Sequence, residues 1–114
     1  MSGESDDRLR RVGDNEALYR QVNERIEELN QGFGSITGTF AIACECGNLE
    51  CAEQIHVTPQ VYEQTRADPT HFIVTPGHQT DDLEDVVAQN DDFVIIEKTP
   101  TRARDLAKET DPRT

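Results

Sequence analysis

Between residues 14 and 33 apolar side chains recur at Leu18, Val22, Ile26, Leu29 and Phe33. Spacings of four, four, three and four residues place them on one stripe of a helix. Asp14 is positioned to cap that helix, Glu24, Arg25 and Glu28 fill its wet side, and Gly32 and Gly34 end it. The stripe is expected to dock on the rest of the domain, with a partner protein as the alternative. Residues 1–13, rich in Ser, Asp and Arg without an apolar period, are expected to form a flexible arm.

The period then changes to two. In TFAIACEC, residues 39–46, Phe40, Ile42, Cys44 and Cys46 fall on one face of a strand. GNLE makes a turn, and CAEQIHV returns as a second strand through Ile55 and Val57. Thr58-Pro59 reads as an N-cap followed by proline in the first turn, so a helix starts there and stops at Asp68-Pro69. HFIVT predicts a buried strand, Pro76-Gly77-His78 a sharp turn, and Thr80 the cap of a short helix carrying Leu83, Val86 and Val87. DDFVIIEK is the last predicted strand. Residues 99–114 have one leucine and no stripe, so a polar tail or a frayed surface helix is expected.

The order α-β-β-α-β-α-β predicts an α+β fold, with helices packed on a mostly antiparallel or mixed sheet. One domain is expected, made of the arm (1–13), the amphipathic helix (14–34), a core (36–98) and the tail (99–114). The core is 63 residues long. Below roughly 70–80 residues, apolar burial alone seldom gives comfortable stability, so a staple is expected.

Charge narrows the function classes. The 114 residues carry a formal net charge of −12, and residues 36–98 hold 12 acids against only Arg66 and Lys98. A segment at net −10 repels phosphate backbones, which argues against direct contact with nucleic acid. No run of eighteen apolar residues is present, so no membrane span is expected. The N-terminus lacks the apolar centre of a signal peptide, and a cytoplasmic, reducing setting is the expectation. Clustered cysteines in that setting bind metal more often than they form disulfides.

The chain has three cysteines, Cys44, Cys46 and Cys51, all within CECGNLEC. Two sit two apart on a strand, and a turn containing Gly47 brings the third back towards them. Three thiolates make a partial cage for zinc, which takes four ligands in tetrahedral geometry. The candidates for the fourth are His56, His71 and His78. His56 points away from the apolar face of its strand, and His71 opens a strand after a proline stop. His78 follows Pro-Gly in a turn that can aim it, so turn placement favours His78. Buried structural thiols, a disulfide with one odd thiol, and a reactive thiol are the competing readings. Glu45, Glu50 and Glu53 disfavour the last, because nearby acids repel a thiolate while attracting a divalent cation. Asp81, Asp82, Glu84 and Asp85 are expected to do no more than complement a helix dipole.

Taken together, EALYRQVNERIEELN, CECGNLEC, TPQVYEQTRADPTHFIVTPGH, NDDFVIIEK and ETDPR resemble a group of small uncharacterised actinobacterial proteins with a C-x-C-x4-C hairpin and a P-G-H turn. The resemblance covers about residues 16–113. It implies Cys44, Cys46, Cys51 and His78 as the ligand set, with His56 and His71 at positions that vary, and it implies no activity. The functional expectation is a small zinc-binding protein acting as a protein-interaction or regulatory module. A thiol/zinc redox sensor is the alternative, and a metal-dependent enzyme with an open zinc position the third.

Overall fold

The computed structural model describes residues 2–33, 38–48, 50–80, 82–100 and 102–113. The elements run α1 (Ser2–Phe33), β1 (Phe40–Ala43), β2 (Gln54–Val57), α2 (Pro59–Arg66), β3 (His71–Val74), β4 (Glu84–Gln89), β5 (Val94–Lys98) and α3 (Arg102–Glu109). The fold is α+β, with two antiparallel sheets: β1-β2, and a three-stranded sheet in the order β3-β5-β4. Among the described residues no helix is long and apolar enough to cross a membrane.

The core lies between the sheets and under the helices. It contains Phe40, Ile42, Ile55 and Val57 from the first sheet, Tyr62 from α2, and Phe72, Ile73, Val74, Val94 and Ile96 from the second. Alternation selects these residues in β1, β2 and β5. α2 begins as its sequence predicts: the Thr58 side chain accepts the Val61 N–H at 3.1 Å, with Pro59 in the first turn.

Three segments differ from expectation. The first helix extends back to Ser2, so it includes most of the stretch 1–13 expected as an arm. That extension has something to pack on: Val12 lies over Gly47, where a Cβ would sit 2.6 Å from Val12 Cγ1, and Arg8 pairs with Asp82 at 2.7 Å. Gly34 lies outside the described residues. Second, the segment after Thr80 is a strand instead of a helix. Val86 opposes Ile96 and Ala88 opposes Ile95, leaving Val87 as a bulge. The bulge gives adjacent valines the look of a helical period, whereas two β-branched neighbours favour a pleated strand. The acids there therefore have no helix dipole to complement: Asp82 meets Arg8, Glu84 is buried on Lys98, Asp85 is exposed, and Asp81 lies outside the described residues. Third, the helix alternative holds for the tail, as α3, but it is docked and not frayed: it packs on α1 with Leu106 close to Gly13, and its Ala103 and Ala107 are buried.

α1 also docks by an unexpected face. Glu16, Ala17, Arg20, Asn23 and Glu27 are buried, while Leu18, Val22 and Leu29 are about half exposed. Of the predicted stripe, Ile26 packs against the core, and the Phe33 side chain lies outside the described residues. Several of the buried polar groups are met by partners. Arg20 donates to Pro69 O at 2.7 Å and Ala107 O at 2.8 Å, and lies 4.6 Å over the Phe72 ring. Those bonds satisfy carbonyls at the end of α3 and in the turn before β3. Lys98 sits between Glu16 and Glu84, donating to Glu84 Oε2 at 2.6 Å.

Burial first, and then the hydrogen bond to Glu84, raises the Glu16 pKa well above the ordinary 4.5, while that of Glu84 is lowered. The fold thus favours a proton on Glu16, and Glu84 is the readier of the two to carry charge opposite Lys98. A folded state that holds this proton is favoured fully below 4.5 and loses the advantage as pH rises through the elevated Glu16 pKa. Glu27, pushed up to about 8 by burial first and then by Glu63, has the same sign. Compared at each pH in equal excess zinc, Glu16→Gln is expected to gain melting temperature relative to the unsubstituted chain as pH rises through the elevated Glu16 pKa. A difference that stays constant with pH contradicts the assignment.

Candidate metal centre

β1 ends at Ala43, so Cys44 and Cys46 lie just beyond the regular strand. The run 44–46 is nevertheless fixed by backbone pairing on both sides. Cys44 N–H donates to Glu53 O at 3.1 Å, and Glu45 N–H donates to Ile73 O at 2.9 Å, joining the two sheets. Both cysteines are buried. Asn48 O accepts the Cys51 N–H at 3.1 Å, closing a turn that returns Cys51 to the others at a partly exposed position. Leu49 lies outside the described residues. Gly47 admits α1 at close range, and Asn15 Nδ2 donates to its carbonyl at 2.9 Å.

His78 arrives from the other sheet. Its N–H donates to Thr75 O at 2.9 Å, Pro76 fixes the second position of the turn, and Gly77 has φ +88°. This is the type II turn that Pro-Gly specifies. It carries the imidazole back to the thiols, with Nδ1 3.6 Å from Cys51 Sγ and 3.7 Å from Cys44 Sγ.

The donor atoms of Cys44, Cys46, Cys51 and His78 all lie within 4.8 Å of one another. A tetrahedral ion with bonds of about 2.3 Å to sulfur and about 2.0–2.1 Å to nitrogen separates such ligands by roughly 3.5 Å. The two sulfur–nitrogen distances are close to that edge. The cluster can therefore hold a metal ion. Among the described residues, His56 and His71 are elsewhere: His56 is exposed on β2, and His71 lies between Asp68 and Glu97.

The thiols do not share one environment. The Cys44 pKa is drawn down to about 5, first by a hydrogen bond from Cys46 and, against burial, by Thr75, whose N–H reaches Cys44 Sγ at 3.1 Å. That same hydrogen bond, and then burial, pushes Cys46 far up. The hydrogen bond thus favours charge on Cys44 over Cys46. Neighbouring acids therefore do not raise every thiol here, as the sequence suggested. Glu50 and Glu53 are exposed, and Glu45 turns away into the core.

Glu45 is the residue at this site whose role sequence reasoning missed. Its carboxylate accepts Arg66 NH1 at 3.0 Å and NH2 at 2.7 Å, Asn23 Nδ2 at 2.7 Å, and the Ile73 N–H at 3.0 Å. Asn23 also exchanges two 2.8 Å bonds with the Ala43 backbone, acting as a substitute strand at the end of β1. Burial opposes the Arg66 charge, but Glu45 more than offsets it and keeps the guanidinium pKa raised. The signal was there in alternation: a residue between two inward cysteines points the other way, and Arg66 is one of only two cations in 36–98.

No family model matches the chain, and no curated protein or solved structure matches it.

Gly77→Ala tests the turn. Space is open around Gly77, so its cost comes from the positive φ alone, about 1–2 kcal/mol. A lower denaturant midpoint together with weaker metal retention is expected. Unchanged metal retention contradicts the role of the turn in aiming His78.

Proposed function

We propose that Cys44, Cys46, Cys51 and His78 bind one zinc ion in a closed structural site, and that the protein is a zinc-stabilised interaction or regulatory module. The observation that carries this reading is the convergence of three sulfurs and one imidazole nitrogen from two sheets within 4.8 Å. Three sulfurs and one nitrogen complete a tetrahedral sphere, whereas catalytic zinc keeps one position for water or substrate. Bound zinc would cancel two of three thiolate charges, and the Thr75 N–H supports the one remaining on the sulfur side.

The module reading draws on α1. Its exposed Leu18, Val22 and Leu29 offer an apolar side on an otherwise polar helix, suited to a protein partner. The acidity of residues 36–98 disfavours direct contact with nucleic acid. A second reading, a thiol/zinc redox sensor, is favoured by one observation. A cavity of about 370 Å³ borders Cys46 and His78, giving small oxidants a route to the sulfurs. Peroxide titration with zinc release as the readout separates the two: a module keeps its metal at mild doses, and a sensor releases it.

Structural zinc contributes about 10–16 kcal/mol apparent in small domains at neutral pH. A typical domain has a net stability of about 5–15 kcal/mol. Excess chelator, or Cys46→Ser, is therefore expected to unfold the core and abolish its cooperative melt. A chain that retains its melting temperature in chelator and shows no bound metal in native mass spectrometry contradicts the proposal.

A further inference from the structure

A second group of donors lies at the opposite end of β3 from His78. His71 Nε2 is 3.0 Å from Glu97 Oε1 and 3.3 Å from Asp68 Oδ2. We propose that Asp68, His71 and Glu97 form a second cation site, separate from the cysteine cluster, which takes a divalent ion of the oxygen- and nitrogen-preferring class such as Mn²⁺.

The backbone aims all three side chains. His71 and Glu97 are direct cross-strand partners in the β3–β5 ladder. Asp68 is held by a tight turn: its Oδ1 accepts the Thr70 N–H at 2.9 Å and the Thr70 hydroxyl at 2.6 Å, and Asp68 O accepts the His71 N–H at 3.1 Å. One Asp68 oxygen is thereby engaged and the other is presented to the imidazole. Glu97 is divided in the same way, with Oε2 3.7 Å from Arg104 NH2 and Oε1 at His71.

The separations suit an ion. Bonds of about 2.1 Å at right angles place neighbouring ligands roughly 3.0 Å apart. One imidazole nitrogen and two carboxylate oxygens, without sulfur, accept Mn²⁺ as a hard divalent probe, with Zn²⁺ ranking above it at the same donors. An adjoining open cavity of about 320 Å³, lined by Asp68, Thr70, Glu97, Arg104 and Lys108 among others, has room for the waters that complete the sphere. Partial burial alone would raise the Asp68 pKa, yet the Thr70 bonds more than offset it and keep the carboxylate ionised. Arg104 and Lys108 oppose a cation, so the affinity is moderate.

The test uses the full chain loaded with one equivalent of zinc and freed of excess metal, so that the thiolates are occupied and the second site is left open to Mn²⁺. Mn²⁺ is titrated, with free ion followed by electron paramagnetic resonance and location by paramagnetic broadening of protein resonances. One equivalent is expected, with broadening centred on Asp68, Thr70, His71 and Glu97. Glu97→Gln and Asp68→Asn, which keep hydrogen-bonding capacity, are each expected to weaken binding at least about tenfold. Broadening centred on Asp91 and Asp92, no saturable binding, or wild-type affinity in both variants overturns the proposal.

Discussion

The Glu45 carboxylate has no contact with water, and its partners come from three separate elements: Asn23 on α1, Arg66 on α2 and the Ile73 N–H on β3. Removing one member of such a buried pair typically costs about 3–5 kcal/mol, because the other charge is left unmatched. This network fixes more than stability. Glu45 stands between Cys44 and Cys46, so holding its carboxylate on one side sets the direction of both thiols on the other. The bonds from Cys44 N–H and Glu45 N–H to the two sheets remove the remaining freedom of that run.

The same constraint explains the polar docking face of α1. Glu16, Arg20, Asn23 and Glu27 follow one another at spacings of four, three and four, and they are buried where an apolar stripe was expected. Asn23 completes the Glu45 network, Arg20 closes the end of α3, and Glu16 meets Lys98 beside Glu84. Arg113 then fastens the C-terminal end across Glu24, Glu27 and Glu63, reaching Glu63 at 2.7 Å. With its polar side committed inward, the helix leaves Leu18, Val22 and Leu29 outside. That inversion links the internal electrostatics to the proposed contact with a partner.

What could be read from the sequence was local. Thr58-Pro59 started α2, alternation marked β1 and β2, the run DDFVIIEK marked β5 as a strand, and Pro76-Gly77 specified the turn that presents His78. The four clustered donors were legible for the same reason, since each depends on a strand period or a turn type. The missed features depend on partners distant in sequence. A buried Arg20 or Glu16 looks like a wet face until Pro69, Ala107 and Lys98 are placed beside it. α3 buries alanines, which no search for large apolar residues finds. β4 was hidden by its bulge, although the Asn90 side chain, accepting from Asp92 and Phe93 N–H groups, marks the hairpin turn after it.

In the proposed site, Cys44, Cys46, Cys51 and His78 close a metal sphere of three sulfurs and one nitrogen. X-ray absorption at the zinc edge of the purified, zinc-loaded chain tests it most directly. Three sulfur neighbours at about 2.3 Å and one nitrogen at about 2.0–2.1 Å, with no exchangeable water, are expected. A sphere with two or fewer sulfurs, or with a coordinated water, would contradict it.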